Sequence, residues 1–115
     1  MNEESQKAAK NLPREKAFYF FTSIGNYTGE SAMSLKEFMG KINEVDVKSL
    51  EFHLYRGDFE KWVNEALEDA KLSVAIGSLR NQNYFGTTLR EHLYSIVSKR
   101  CKELNDDFGS TPTKN

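Results

Sequence analysis

The sequence predicts an all-α fold: a bundle of about five short helices, led in by an aromatic extended arm and flanked by disordered tails. Three observations carry that prediction. Between residues 34 and 105, apolar side chains recur at i, i+3, i+4 and i+7 in successive stretches, the repeat of one helix face. Serine, threonine or aspartate stands at the head of several of these stretches, where a side-chain oxygen satisfies the free amides of a first helical turn. The run "AFYFFTSIG", residues 17–25, is aromatic and β-branched enough to be extended, yet no convincing second strand follows it.

Taken in order, residues 1–16 are polar and mixed in charge and read as a mobile tail; residues 106–115, with Gly109, Ser110 and Pro112, read the same way. The domain is then residues 17–105. A lone strand leaves its ladder groups unpaired. The run 17–25 can therefore pack as an arm over the helices, fold back as a short hairpin through Gly25 and Gly29, or pair with its twin in a dimer. The arm is the expected outcome.

Ser34-Leu-Lys-Glu37 forms a capping box ahead of Leu35, Phe38, Met39 and Ile42. Asp46 caps a second helix carrying Val47, Leu50 and Leu54; Phe59, Trp62, Val63, Ala66 and Leu67 mark a third, and Leu72, Ala75, Ile76 and Leu79 a fourth. Thr88-Leu-Arg-Glu91 reads as a second capping box, opening the longest helix over Leu89, Leu93, Ile96, Val97, Arg100 or Cys101, and Leu104. Between helices two and three lies Arg56-Gly57-Asp58. Gly57 is placed to end one helix in the left-handed conformation, and Asp58 to cap the next by accepting from the amides near Glu60 and Lys61. Trp62 falls on a core stripe, its indole N–H needing an acceptor, while His53 sits off the Val47, Leu50, Leu54 face as a boundary residue.

At 115 residues the chain suits one domain, which buries roughly two-thirds of its unfolded surface and needs no metal or disulfide to fold. A single cysteine, Cys101, and no long apolar run fit a cytoplasmic protein without a membrane span. Net charge is only −1, but it is unevenly spread: residues 34–69 hold nine acids and five bases, residues 70–105 six bases and two acids. Opposite signs on the two halves help them attract.

Catalytic templates are not met. "GNYTGES" is one residue short of a phosphate loop and carries Glu30 where that loop needs lysine. Two histidines and one cysteine, unclustered, give no zinc spacing. Ser23, Ser95 and Cys101 have no recognisable elbow or neighbouring base. The basic residues Arg80, Arg90, Lys99, Arg100 and Lys102 are the best case for nucleic acid, against which stand interleaved Glu91 and Glu103 and a pI near 6.1. The expected function is a non-enzymatic interaction or regulatory domain, with no cofactor and no metal, whose partner is another protein or a second copy. Phe18, Phe20, Tyr27, His53 and Arg56 are its candidate contacts. A small-ligand pocket between arm and bundle, closed by His53 and Arg56, is the alternative.

"SLKEF", "VDVKSLEFHLYRGDFEKWV" and "LEDAKLS" resemble a family of uncharacterised prokaryotic helical domains with the pattern SL-x-EF, then SL-x-x-H-x-x-RGDF-x-x-W, then LGD-x-x-LA. Members look like stand-alone small proteins or modules of larger archaeal and bacterial proteins, some of them carbohydrate-active. The resemblance covers residues 18–104 and implies the helical fold without an activity. Glu68 stands where the pattern has glycine, implying a less sharp join between helices three and four, and Ser73 stands where it has alanine.

Overall fold

The computed structural model describes residues 8–109, with side chains to residue 105; residues 1–7 and 110–115 of the expected tails lie outside. A 3-10 turn at Arg14–Lys16 leads into strands β1 (Phe18–Ser23) and β2 (Asn26–Ala32). Five helices follow: α1 (Leu35–Ile42), α2 (Val47–Arg56), α3 (Asp58–Glu65), α4 (Ala70–Gln82) and α5 (Gly86–Gly109). The helical part matches the expected bundle, but the molecule is not all-α.

The arm is a hairpin. Strands β1 and β2 pair antiparallel, with Phe18 opposite Ala32, Tyr19 opposite Ser31, Phe21 opposite Tyr27 and Ser23 opposite Asn26. Gly25, at φ +79°, turns the chain at the tip. Between the Tyr19 and Phe21 pairs, β2 spends two extra residues in a bulge around Gly29, at φ +90°. Thr28 ties the bulge down, its hydroxyl donating to the Phe20 carbonyl at 2.8 Å and accepting from the Glu30 amide at 3.1 Å. Sequence pattern hides β2 because only Ala32 of its seven residues is buried, so no apolar alternation marks it.

Residues 8–16 lie along the body. Ala8 is buried, the Leu12 amide donates to the Met33 carbonyl at 2.6 Å, and the Tyr19 hydroxyl donates to the Arg14 carbonyl at 2.7 Å. The Lys16 carbonyl accepts the Trp62 indole N–H at 2.7 Å. The buried ring thus meets its polar partner from outside the helical bundle.

Helix α1 opens as expected at Ser34, whose hydroxyl accepts the Glu37 amide at 3.0 Å; Glu37 reaches back to the Met33 amide at 2.8 Å, one residue beyond the cap. Asp46 caps α2 through the Lys48 amide at 2.9 Å. Two other caps differ from expectation. Asp58 makes no cap; α3 starts directly from Gly57, which at φ +80° also ends α2. Thr88 lies inside α5, which begins at Gly86, and the Gly86 amide donates to the Glu51 carboxylate of α2 at 2.8 Å. A tertiary acceptor thereby moves the helix start ahead of the local one. The third difference is at Glu68, which takes the left-handed φ of +57° itself, while the Asp69 amide donates to the Val63 carbonyl at 3.1 Å. The α3–α4 turn is completed without glycine. Ser73 also has a use: its hydroxyl donates to the Glu60 carbonyl at 3.0 Å, tying α4 to α3.

Rings from four elements meet at the centre. Phe18 and Phe20 of β1, Phe38 of α1, His53 of α2 and Phe59 and Trp62 of α3 form one cluster, with Phe38 centred 5.1 Å from Phe59 and 5.3 Å from Trp62. Leu50, Leu54, Leu72, Ile76, Leu89, Leu93 and Val97 extend it between α2, α4 and α5, completing the predicted stripes. Ion pairs link the acidic and basic halves. Arg80 meets Glu60 through two hydrogen bonds of 2.9 and 3.0 Å, and Arg100 donates to Asp69 at 2.8 Å.

Candidate functional site

Stopping α2 at Gly57 and restarting at once in α3 brings His53, Arg56 and Asp58 to one corner, against which β1 lies. His53 is 4% exposed, and both its ring nitrogens are used. The Phe21 main-chain N–H donates to Nε2 at 2.8 Å, and Nδ1 stands 2.8 Å from Asp58 Oδ2. An amide can only donate, so Nε2 is the bare nitrogen and Nδ1 carries the proton. Arg56 Nε donates to the same Asp58 oxygen at 3.0 Å while its guanidinium lies 5.0 Å from the Phe52 ring centre. Burial holds the His53 pKa below the ordinary histidine value, although Asp58 pulls the other way.

Beside this chain of polar groups runs an open groove of about 420 Å³, between the hairpin tip and the C-terminal end of α2. Phe18, Phe21, Ile24 and Phe52 supply its apolar surface; Arg56 and Asp58 supply its charge. Ile24, next to the turn glycine, is 83% exposed. A large aliphatic side chain held at that exposure has no role in the core.

The structure thus separates the expected site residues. Phe18, His53 and Arg56 border the groove. Phe20 is fully buried in the ring cluster and offers no surface to a partner. Tyr27, 47% exposed, leans on Tyr19 and Phe21 from the other strand. Among the basic residues, Arg80 and Arg100 are committed to Glu60 and Asp69, and Arg90 donates to the Val45 carbonyl, so three of five guanidinium or ammonium groups serve the fold. Lys99 and Lys102 are left exposed on α5. Sequence reading did not single out Ile24 or Phe52. Phe52 carried a signal, an aromatic ring off the apolar stripe of its helix, whereas Ile24 acquires its position only from the hairpin turn.

His53 has no ring nitrogen left for a substrate proton. Burial pushes the Cys101 thiol up to about 11, away from thiolate reactivity. No group of three or more metal-ligating side chains occurs among the described residues. Among those residues, too, no helix is long and apolar enough to cross a membrane.

Replacing His53 with leucine fills much of the same space but leaves the Phe21 amide without its acceptor. The expected loss is about 1–3 kcal/mol, measured by urea denaturation. A loss under about 0.5 kcal/mol would show the strand amide to be satisfied elsewhere.

No curated protein and no solved structure matches the chain. A family model does match, over residues 13–111, which spans the hairpin, the His53 corner and the five helices described above; the chain belongs to a family of unknown function, DUF5752.

Proposed function

We propose that this domain is a non-enzymatic docking module, and that the groove between the hairpin tip and α2 receives an apolar side chain of another protein. One observation carries the reading: Ile24 is 83% exposed beside Phe21 and Phe52, at a corner whose polar groups are already bound to one another. Apolar surface drives association without needing direction, and the Arg56–Asp58 pair beside it supplies orientation at the rim.

Ile24→Asp tests it. The side chain is outside the core, so stability should change by less than about 0.5 kcal/mol. In paired pull-downs from a source-organism lysate, a protein retained by the unchanged chain and lost with Ile24→Asp is the expected result. Equal recovery on both, or nothing above bare resin, overturns the reading.

The groove's volume favours a second reading. About 420 Å³ lies within the range of small-ligand pockets. A sugar, nucleotide or sugar phosphate that raises the melting temperature would support that reading, and the rise should disappear with Arg56→Ala.

A further inference from the structure

We propose that His53 is an acid-sensitive latch, which holds the β-hairpin on α2 when its imidazole is neutral and releases it on protonation. The geometry leaves the ring one arrangement. Its Nδ1–H is directed at Asp58 and its Nε2 receives the Phe21 amide, both at 2.8 Å. A proton added at Nε2 removes the acceptor and sets one N–H against another. The strand amide and the new imidazolium edge cannot both be satisfied with β1 in place.

The surroundings make the charge costly. From α2 the ring faces Arg56 and the Phe52 ring, and from α3 it faces Asp58 and the Phe59 ring. From β1 come the Phe18, Phe20 and Phe21 rings and no charged side chain. Asp58 is the one facing group that favours the cation, and Arg56 opposes it. Burial, with Arg56 acting in the same direction, outweighs Asp58 and lowers the pKa of the docked ring.

A released hairpin exposes the ring to water, where it takes up a proton near the ordinary histidine pKa of about 6.5. The released state therefore binds more protons than the docked one, and docking weakens as the pH falls below that value. The linkage is one proton, so the docking constant falls toward tenfold per pH unit until the docked ring itself titrates. Release would also take apart the groove, since Phe21 and Ile24 come from the hairpin and Phe52 and Arg56 from α2. The latch stands on the His53 contacts alone and does not depend on what the groove receives.

Residue-resolved amide hydrogen exchange between pH 7.5 and 5 tests it, with rates expressed as protection relative to the unfolded chain at each pH. Protection at Phe21 and the paired amides of β1 and β2 is expected to drop progressively below about pH 6.5. The α5 core amides, such as those of Leu93 and Val97, should keep theirs. In His53→Gln, whose side-chain oxygen can accept the Phe21 amide without titrating, hairpin protection should lose its pH dependence. Hairpin protection that is flat with pH overturns the latch. So does hairpin protection falling in step with α5, which would mean global unfolding. A pH response that survives in His53→Gln overturns it as well. If that variant does not fold, comparing the hairpin and α5 in the unchanged protein still decides between local release and its absence.

Discussion

Phe38→Ala is expected to lower the unfolding free energy by about 3–5 kcal/mol. Phe38 is fully buried and stands where α1, α3 and the hairpin converge. Its ring centre lies 6.0 Å from those of Phe18 and Phe20, 5.1 Å from Phe59 and 5.3 Å from Trp62. Truncation forfeits the transfer energy of the ring and opens a void that its rigid aromatic neighbours cannot close by small rotations. A domain of this size holds roughly 5–15 kcal/mol in total, so the variant should melt at least about 12 °C lower. Urea and thermal unfolding check the value. Phe85→Ala is the control, because Phe85 is 57% exposed and should cost under about 1 kcal/mol. Equal losses at the two positions would mean that the ring cluster does not organise the core.

Asp69→Ala has the second large expected effect. The carboxylate, 3% exposed as a side chain, holds two elements at once. Oδ1 accepts the Leu72 amide at 3.0 Å as the cap of α4, and Oδ2 accepts from Arg100 of α5 at 2.8 Å. Removing it strands the Arg100 guanidinium, only 18% exposed, with Glu103 as its remaining partner at 3.1 Å. Losing one member of a buried pair costs about 3–5 kcal/mol, and the lower end applies here because Glu103 shares the charge. The cap adds about 1 kcal/mol. Asp69→Ser keeps an oxygen for the cap and should recover about that last increment, so urea denaturation of the two variants separates the contributions. A loss below about 1 kcal/mol in Asp69→Ala would reduce the α4–α5 ion pair to a bystander.

The helices were legible because burial on one side imposes a repeat that a sequence cannot hide. Leu35, Phe38 and Ile42, or Leu89, Leu93 and Val97, lie at helical spacing and are all buried. The sign imbalance between the halves of the chain likewise anticipated the Glu60–Arg80 and Asp69–Arg100 links. Gly57 was legible too, since a helix that stops and restarts within one residue needs a backbone free to adopt positive φ. The second strand was not. Asn26–Ala32 is held by main-chain pairing and by Thr28, and neither imprints an apolar pattern.

By itself, then, the sequence determined that this chain builds amphipathic helices, where α1 and α2 begin, where α2 ends, and which face of each turns inward, because those choices are settled within a few residues. Ser34 and Asp46 cap as the sequence predicts, but only the tertiary structure decided what other polar residues do. Asp58 turns from a local cap to His53 and Arg56, Glu51 takes over the start of α5, and Arg100 is drawn to Asp69. Local partners are within reach as well: Arg100 has Glu103 three residues along its own helix, and Asp58 has Arg56 two residues before it. Folding adds a partner from another element, and for Asp69 and Arg100 it strips most of the water from both side chains.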